Sequence, residues 1–200
     1  MTKLFKKCLV VLMLMALCVA GCGTTDGASD GSQNSNESNI TGKSETVANK
    51  YIAIAESADP TFSVSENSIT FMDAHEEFFP GNENNDGAMS DYLNWETDYP
   101  HLSKSIGKYT GELFSVYGYV VDIKELDDGS LTYIHIVDYS EYNYTFYYLG
   151  TLDDAFEGSE VMVYALPFDM VTFENLGGTY TEAVVGAACY VEVYDFEYDY

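Results

Sequence analysis

Four groups of side chains in this sequence could do chemistry. The first is tyrosine. Tyr117, Tyr119, Tyr133, Tyr139, Tyr142, Tyr144, Tyr147 and Tyr148 crowd one stretch of alternating apolar and polar residues. Flat phenol rings with a polar rim suit a sugar ring or a peptide. Tyr133, Tyr144 and Tyr148 are the candidates for ligand contact. The second group is the loop from Asn82 to Gly87. There Asn82, Asn84 and Asp86 place oxygens at alternate positions before a turn-making glycine, as the start of a calcium loop does. Leu93 stands where such a loop needs a bidentate glutamate, so a polar surface loop is the plainer reading. The third group, His75, His101 and His135, is scattered and lacks the spacing of a zinc motif. The fourth is cysteine, at positions 8, 18, 22 and 189. No serine stands in a nucleophile elbow and no glycine-rich phosphate loop is present, so neither a catalytic residue nor a cofactor is expected. Carboxylates are too abundant for any pair to stand out as acid and base.

Cys22 ends a patterned segment. Lys3, Lys6 and Lys7 precede an apolar run from Cys8 to Ala20. That run is short for a membrane span and fits the apolar region of a secretory signal. Val19-Ala20-Gly21-Cys22 resembles the lipobox of bacterial lipoproteins. The resemblance implies cleavage before Cys22 and transfer of a diacylglycerol to its thiol. Together with a further acyl chain this would hold the chain firmly to the outer side of the cell membrane. Loss of residues 1–21 would leave five basic and thirty-three acidic residues, a formal charge of −28, with no arginine. Phosphate backbones and anionic headgroups repel such a chain, so nucleic acid is not an expected partner; calcium and basic peptides or proteins are compatible with it. Cys189 would be the one thiol left unmodified. No intramolecular disulfide could then form, and its apolar surroundings predict a buried small hydrophobe.

The remaining pattern says what must position these groups. Residues 22–50 read as the modified cysteine and a tether. Positions 23–46 have almost no apolar content and predict disordered coil, spanning roughly 25–30 Å. Residues 51–110 read as a helical lead-in. One helix is predicted from Ser65 to Phe79, capped by Ser65 and stopped by Pro80, and a second from Tyr99 to Tyr109 with Pro100 near its start. Residues 111–200 then change to period two. Strands are predicted at Leu113–Leu126, Leu131–Val137, Tyr144–Leu149, Val161–Leu166 and Ala183–Tyr194. Gly118 suggests a bulge or bend in the first strand, and Thr151–Glu157 a short helix or 3₁₀ turn between the third and fourth. The expected fold is mainly β: a five-stranded OB-like barrel after one or two short helices, with a signal peptide and tether ahead of it. A sandwich fragment is the alternative. OB-folds take ligands on the face of strands two and three, where the tyrosines would lie. The same rings could simply fill and cover a short barrel, and packing is the reading the sequence favours.

Particular residues carry a resemblance to a family. Pro100–Glu112, Val116–Ile123, Glu157–Tyr164 and Leu176-Gly177-Gly178 resemble, in turn, the pre-barrel helix, first strand, fourth-strand entry and last loop of OB-fold lipoproteins of Gram-positive, clostridial-type bacteria. The resemblance spans roughly residues 95–195, and it implies a fold but no assigned activity. The expected function is a lipid-anchored extracytoplasmic binding module for a cell-envelope protein or glycan. The alternatives are a structural accessory subunit of an envelope complex with no small ligand, and a hydrolase with an unrecognised site.

Overall fold

The computed structural model describes residues 46–58, 63–174 and 178–194. Cys22, the signal segment and all but the last residues of the tether span lie outside the described residues. Four helices lead in: α1 (Val47–Ala58), α2 (Glu66–Ala74), α3 (Asp86–Ser90) and α4 (Tyr99–Ser105). Five strands follow: β1 (Phe114–Glu125), β2 (Thr132–Asp138), β3 (Asn143–Tyr148), β4 (Glu160–Glu174) and β5 (Tyr180–Tyr194). The strands close in the order β1-β2-β3-β5-β4, with β3 and β5 parallel and every other pair antiparallel. This is the OB-fold barrel that the sequence predicts.

β1 closes the barrel by serving two partners. Its first half pairs with β4 from Phe114 to Tyr119, and its second half pairs with β2 from Gly118 to Glu125. The expected bulge is present but falls at Val121, three residues beyond Gly118. Gly118 answers to close approach instead: a Cβ there would stand 2.4 Å from the Val137 carbonyl oxygen. Between β3 and β4 the chain makes turns only, not the expected helix or 3₁₀ turn. Glu125 accepts the Leu152 amide at 2.7 Å and helps hold this connector. β4 runs far past the predicted end at Leu166, crossing Pro167 through an irregularity in its register with β5. Pro167 gives up no ladder donor where the register slips.

Ser65 caps α2 as expected, its hydroxyl accepting the Ser68 amide at 3.1 Å. The helix stops at Ala74 rather than Phe79 because His75 leaves helical geometry, and Glu76–Phe78 forms a 3₁₀ turn. The His75 ring stacks on Phe78 and also touches Phe71 and Tyr92. α4 likewise shortens, passing into a 3₁₀ turn at Ile106–Lys108, and Asp98 caps its start. α1 begins at Val47, inside the span predicted as tether. Ala48, Tyr51 and Ala55 are buried at helical spacing on one face.

Two apolar cores result. One fills the barrel with Phe114, Val120, Ile134, Ile136, Phe146, Val161 and Val163. The other lies outside it, where Tyr51, Met72, Phe78 and Met89 of the lead-in meet Leu166, Phe168, Val185, Ala187 and Cys189. The lead-in therefore shares a core with the barrel. Cys189 is fully buried and free, and burial pushes its thiol well above the ordinary range. Alkylation follows thiolate exposure. Mass mapping should thus find Cys189 unlabelled by iodoacetamide in the native chain and labelled in denaturant. Rapid native labelling would contradict this packing.

Candidate functional site: an aromatic face on β1, β4 and β5

The register decides which tyrosines reach solvent. Thr132 pairs with Tyr148, Ile134 with Phe146 and Ile136 with Tyr144, and this set points inward. Tyr144 is therefore 3% exposed, and its hydroxyl donates to Asp138 Oδ2 at 3.1 Å. Burial, with the nearby Asp138 charge, pushes its phenol far above the ordinary value. Tyr148 leans on the same interior core. Tyr133 points outward with Tyr147, their rings 6.0 Å apart, and Lys124 Nζ stands 5.7 Å from the Tyr133 ring centroid. Tyr133, Tyr144 and Tyr148 thus do not form one patch, because Tyr133 pairs with Tyr147, an odd number of positions from Tyr144 and Tyr148 and so on the opposite side of β3.

The outer side of β2 and β3 is itself partly taken up. The Tyr51 hydroxyl on α1 donates to the Tyr147 carbonyl at 3.3 Å, and Tyr147 and Leu149 pack on the lead-in core. Beyond that cover, His135 meets Asn143 Oδ1 at 2.9 Å and Phe173 edge-on at 5.8 Å. Burial holds its imidazole below the ordinary value.

Of the calcium candidates, Asn82 already accepts a hydrogen bond, while Asp86 Oδ1 is buried with no hydrogen-bond partner among the described residues. Asn82 Oδ1 accepts the Asn84 amide at 2.9 Å, and Asn85 Oδ1 accepts the Asn82 amide at 2.6 Å. Asp86 opens α3, and its charge is near enough to Tyr164 to help raise that phenol after burial, the larger cause. Among the described residues, no three His, Cys, Asp or Glu side chains gather as a metal site. A cavity of about 240 Å³ lies between Ile123, Glu125 and the connector residues Leu152–Phe156. Its lining carries two carboxylates, Asp153 and Glu125, and Glu125 is already engaged with the Leu152 amide.

A partly exposed aromatic surface forms instead on the outer face of β1, β4 and β5. Pairing sets Tyr119, Glu160 and Tyr194 in one row, Tyr117, Met162 and Glu192 in the next, and Ser115, Tyr164 and Tyr190 in the third. Adjacent strands lie about 4.8 Å apart, so the three rows form one continuous surface. Tyr139, 58% exposed on the β2–β3 turn, borders one end; Trp95, 63% exposed, borders the other, 6.4 Å from Tyr164.

One carboxylate organises the first end. Tyr117 donates to Glu160 Oε2 at 2.8 Å and Tyr139 to Oε1 at 2.9 Å. Those bonds hold Glu160 below the ordinary carboxylate value. Hydrogen bonding to Tyr139 and Glu160 pushes the Tyr119 phenol well up. Raised phenols stay neutral and a lowered acid stays charged, so one anion sits among neutral rings across the physiological range. A second carboxylate repeats the pattern: Tyr194 donates to Glu192 at 2.9 Å, and burial plus that bond push its phenol up to about 12.

Tyr117, Tyr119 and Tyr139 were legible as tyrosines but not as a site with Glu160. Tyr164, Tyr190, Tyr194 and Trp95 carried a signal that spacing could have supplied. In Tyr190-Val191-Glu192-Val193-Tyr194 the valines mark the inward side, so the tyrosines and glutamate must face out.

No known protein family matches the chain, and no curated protein does. Among solved structures it is similar to the mitochondrial single-stranded DNA-binding protein of S. cerevisiae, at 12% identity over 40% of this chain and 90% of that one, TM-score 0.27. It is also similar to an aspartyl-tRNA synthetase from Leishmania major Friedlin, at 10% identity over 64% of this chain, TM-score 0.33. The chain spans 26% of the synthetase's length. The fold assignment rests on the strand order.

Proposed function

We propose that this chain is a lipid-anchored binding module on the extracytoplasmic face of a cell membrane, taking a cell-envelope protein or glycan on the β1–β4–β5 face. The observation that carries the reading is that face: rings from three strands and two flanking loops arranged around fixed carboxylates, with Tyr117, Tyr119 and Tyr139 clear of the lead-in core on which Tyr164 and Tyr190 pack. Patches of exposed aromatic residues on a folded domain mark interaction surfaces. The lipobox-like Val19-Ala20-Gly21-Cys22 supports the anchor, and the tether would give the domain reach past the headgroups.

Two linked experiments test the reading. Cys22→Ala should leave the precursor uncleaved or shed the protein into the medium, with no lipid on residue 22 by intact mass. A wild-type chain with an unmodified Cys22 would end the anchoring claim. A glycan array and an envelope-protein pull-down should each be run with wild type and with Tyr117→Ala/Tyr139→Ala. Binding by wild type and its loss in the variant, at unchanged melting temperature, supports the module. Binding that survives in the variant removes the face from the proposal.

A further inference from the structure

Ring geometry and charge narrow what the aromatic face can hold. A pyranose stacks on rings that lie flat and roughly coplanar. Here three neighbouring pairs stand on edge, Tyr117 to Tyr194 at 79°, Tyr119 to Tyr139 at 65° and Trp95 to Tyr164 at 85°, while Tyr117 and Tyr139 stack at 25° and Tyr164 and Tyr190 tilt at 44°. Rings at right angles form walls, and walls of aromatic rings around an anion suit a positive charge, which is attracted to ring faces as well as to the carboxylate. The carboxylates are fixed for this by hydrogen bonds from Tyr117, Tyr139 and Tyr194. Charge elsewhere on the face has the same sign. Glu83 and Asp86 lie close enough to raise the Tyr190 phenol, after burial and Glu192. No lysine belongs to these rows. The lysines of the described residues are Lys50 on α1, Lys104 on α4, Lys108 in the following 3₁₀ turn, and Lys124 beside Tyr133.

We infer that the β1–β4–β5 face binds a cationic peptide segment of a partner protein, held extended with lysine or arginine at alternate positions. The inference rests on reading that face as the binding surface. Glu160 and Glu192 are diagonal neighbours on paired strands, a separation of about 7–8 Å. Alternate residues of an extended peptide repeat at about 6.6 Å, so successive basic side chains match successive carboxylates. The segment does not add as a strand. β4 from Glu160 to Ala165 is paired on both sides, so recognition passes through side chains.

The mature chain can be titrated by calorimetry with an alternating lysine–threonine octapeptide, its glutamate–threonine counterpart, and chitohexaose. Trp95, the one tryptophan of the chain, reports occupancy of the face by its emission. The lysine peptide should bind saturably and shift that emission, more weakly as salt rises, while the other two do not. Tyr119→Ala/Tyr139→Ala, which removes no charge, should weaken it about tenfold or more. Glu160→Gln should also weaken it. Asp153→Asn/Asp154→Asn, which removes two charges from the connector, should leave it unchanged. If chitohexaose binds through the same tyrosines and the lysine peptide does not, the cationic occupant is wrong and the binding face stands. If the lysine peptide binds Tyr119→Ala/Tyr139→Ala as well as wild type, its attraction is to net charge alone and the inference falls. If no probe binds, the inference falls along with its binding face.

Discussion

Replacing Tyr51 by alanine is expected to cost about 3–5 kcal/mol of folding stability, the range for deleting a large buried ring. Tyr51 is completely buried although it stands on the first helix, ahead of every strand. Its ring meets Phe79 edge-on at 5.9 Å and Phe168 at 5.8 Å, so it joins the lead-in to β4. Its hydroxyl donates to the Tyr147 carbonyl on β3. Burial pushes the phenol far above its ordinary value, so it remains a neutral donor. Tyr51→Phe keeps the ring and loses only that bond, at a cost of about 1 kcal/mol. Domains of this size carry about 5–15 kcal/mol in total, so the alanine variant should be close to unfolding at ambient temperature. Urea denaturation of wild type and both variants measures this. An alanine variant within about 1 kcal/mol of wild type would mean that α1 is not part of the core.

The same residue explains a boundary that sequence reading misplaced. The stripe on α1 is built from Ala48, Tyr51, Ile54 and Ala55, a short run of which two are alanines, beside a polar tether. Only packing against Val185 and Ala187 on the barrel reveals that side as a core face. The strands were easier. Asp127-Asp128-Gly129 turns at a glycine with φ +67°, and β1, β2 and β3 begin and end within a residue or two of the predicted limits. β4 runs past the predicted end at Leu166, because a slipped register lets the strand pass Pro167.

The three tyrosine candidates are not brought together, for a different reason. Period two gives two faces but does not by itself say which is inside. Tyr144 and Tyr148 share the phase of Phe146, and Ile134 and Ile136 sit opposite that set on β2, so both tyrosines belong inside. Tyr147, one residue away, belongs outside. Glu160 could not be singled out from thirty-three acidic residues, since its role depends on Tyr117 and Tyr139 arriving from other elements. The face around Glu160 also lies on β1, β4 and β5, away from the β2–β3 surface where OB-folds take ligands and where α1 now packs on β3. This chain has spent part of the usual surface on its own stability.

Gly118→Ala is the second large effect, and it links that face to the barrel. Gly118 is where β1 passes from β4 to β2, paired with Val161 on one side and Asp138 on the other. An added Cβ would lie 2.4 Å from the Val137 carbonyl oxygen and 2.9 Å from the Asp138 Cα. Both obstacles are backbone, so no side chain can swing away and the strands must part. Overpacking a tight site costs about 1–3 kcal/mol, and a clash confined to backbone belongs at the top of that range. Gly107→Ala is the matched control, since nothing lies within 4 Å of a Cβ there, and it should change stability by less than about 0.5 kcal/mol. Thermal unfolding of the two variants measures the difference. The consequence reaches the surface, because Tyr117 and Tyr119 flank Gly118 and hold opposite sides of the Glu160 cluster. Parting β1 from β2 moves both rings relative to Tyr139 on the β2–β3 turn. Glu160 would then lose the phenol donors that hold its carboxyl below the ordinary value, and tyrosine near-UV circular dichroism should fall in Gly118→Ala even at temperatures where the variant is still folded. A variant with wild-type stability and an unchanged near-UV spectrum would show that β1 can shift at this crossing without strain, and that the face is not held in place by the barrel's closure.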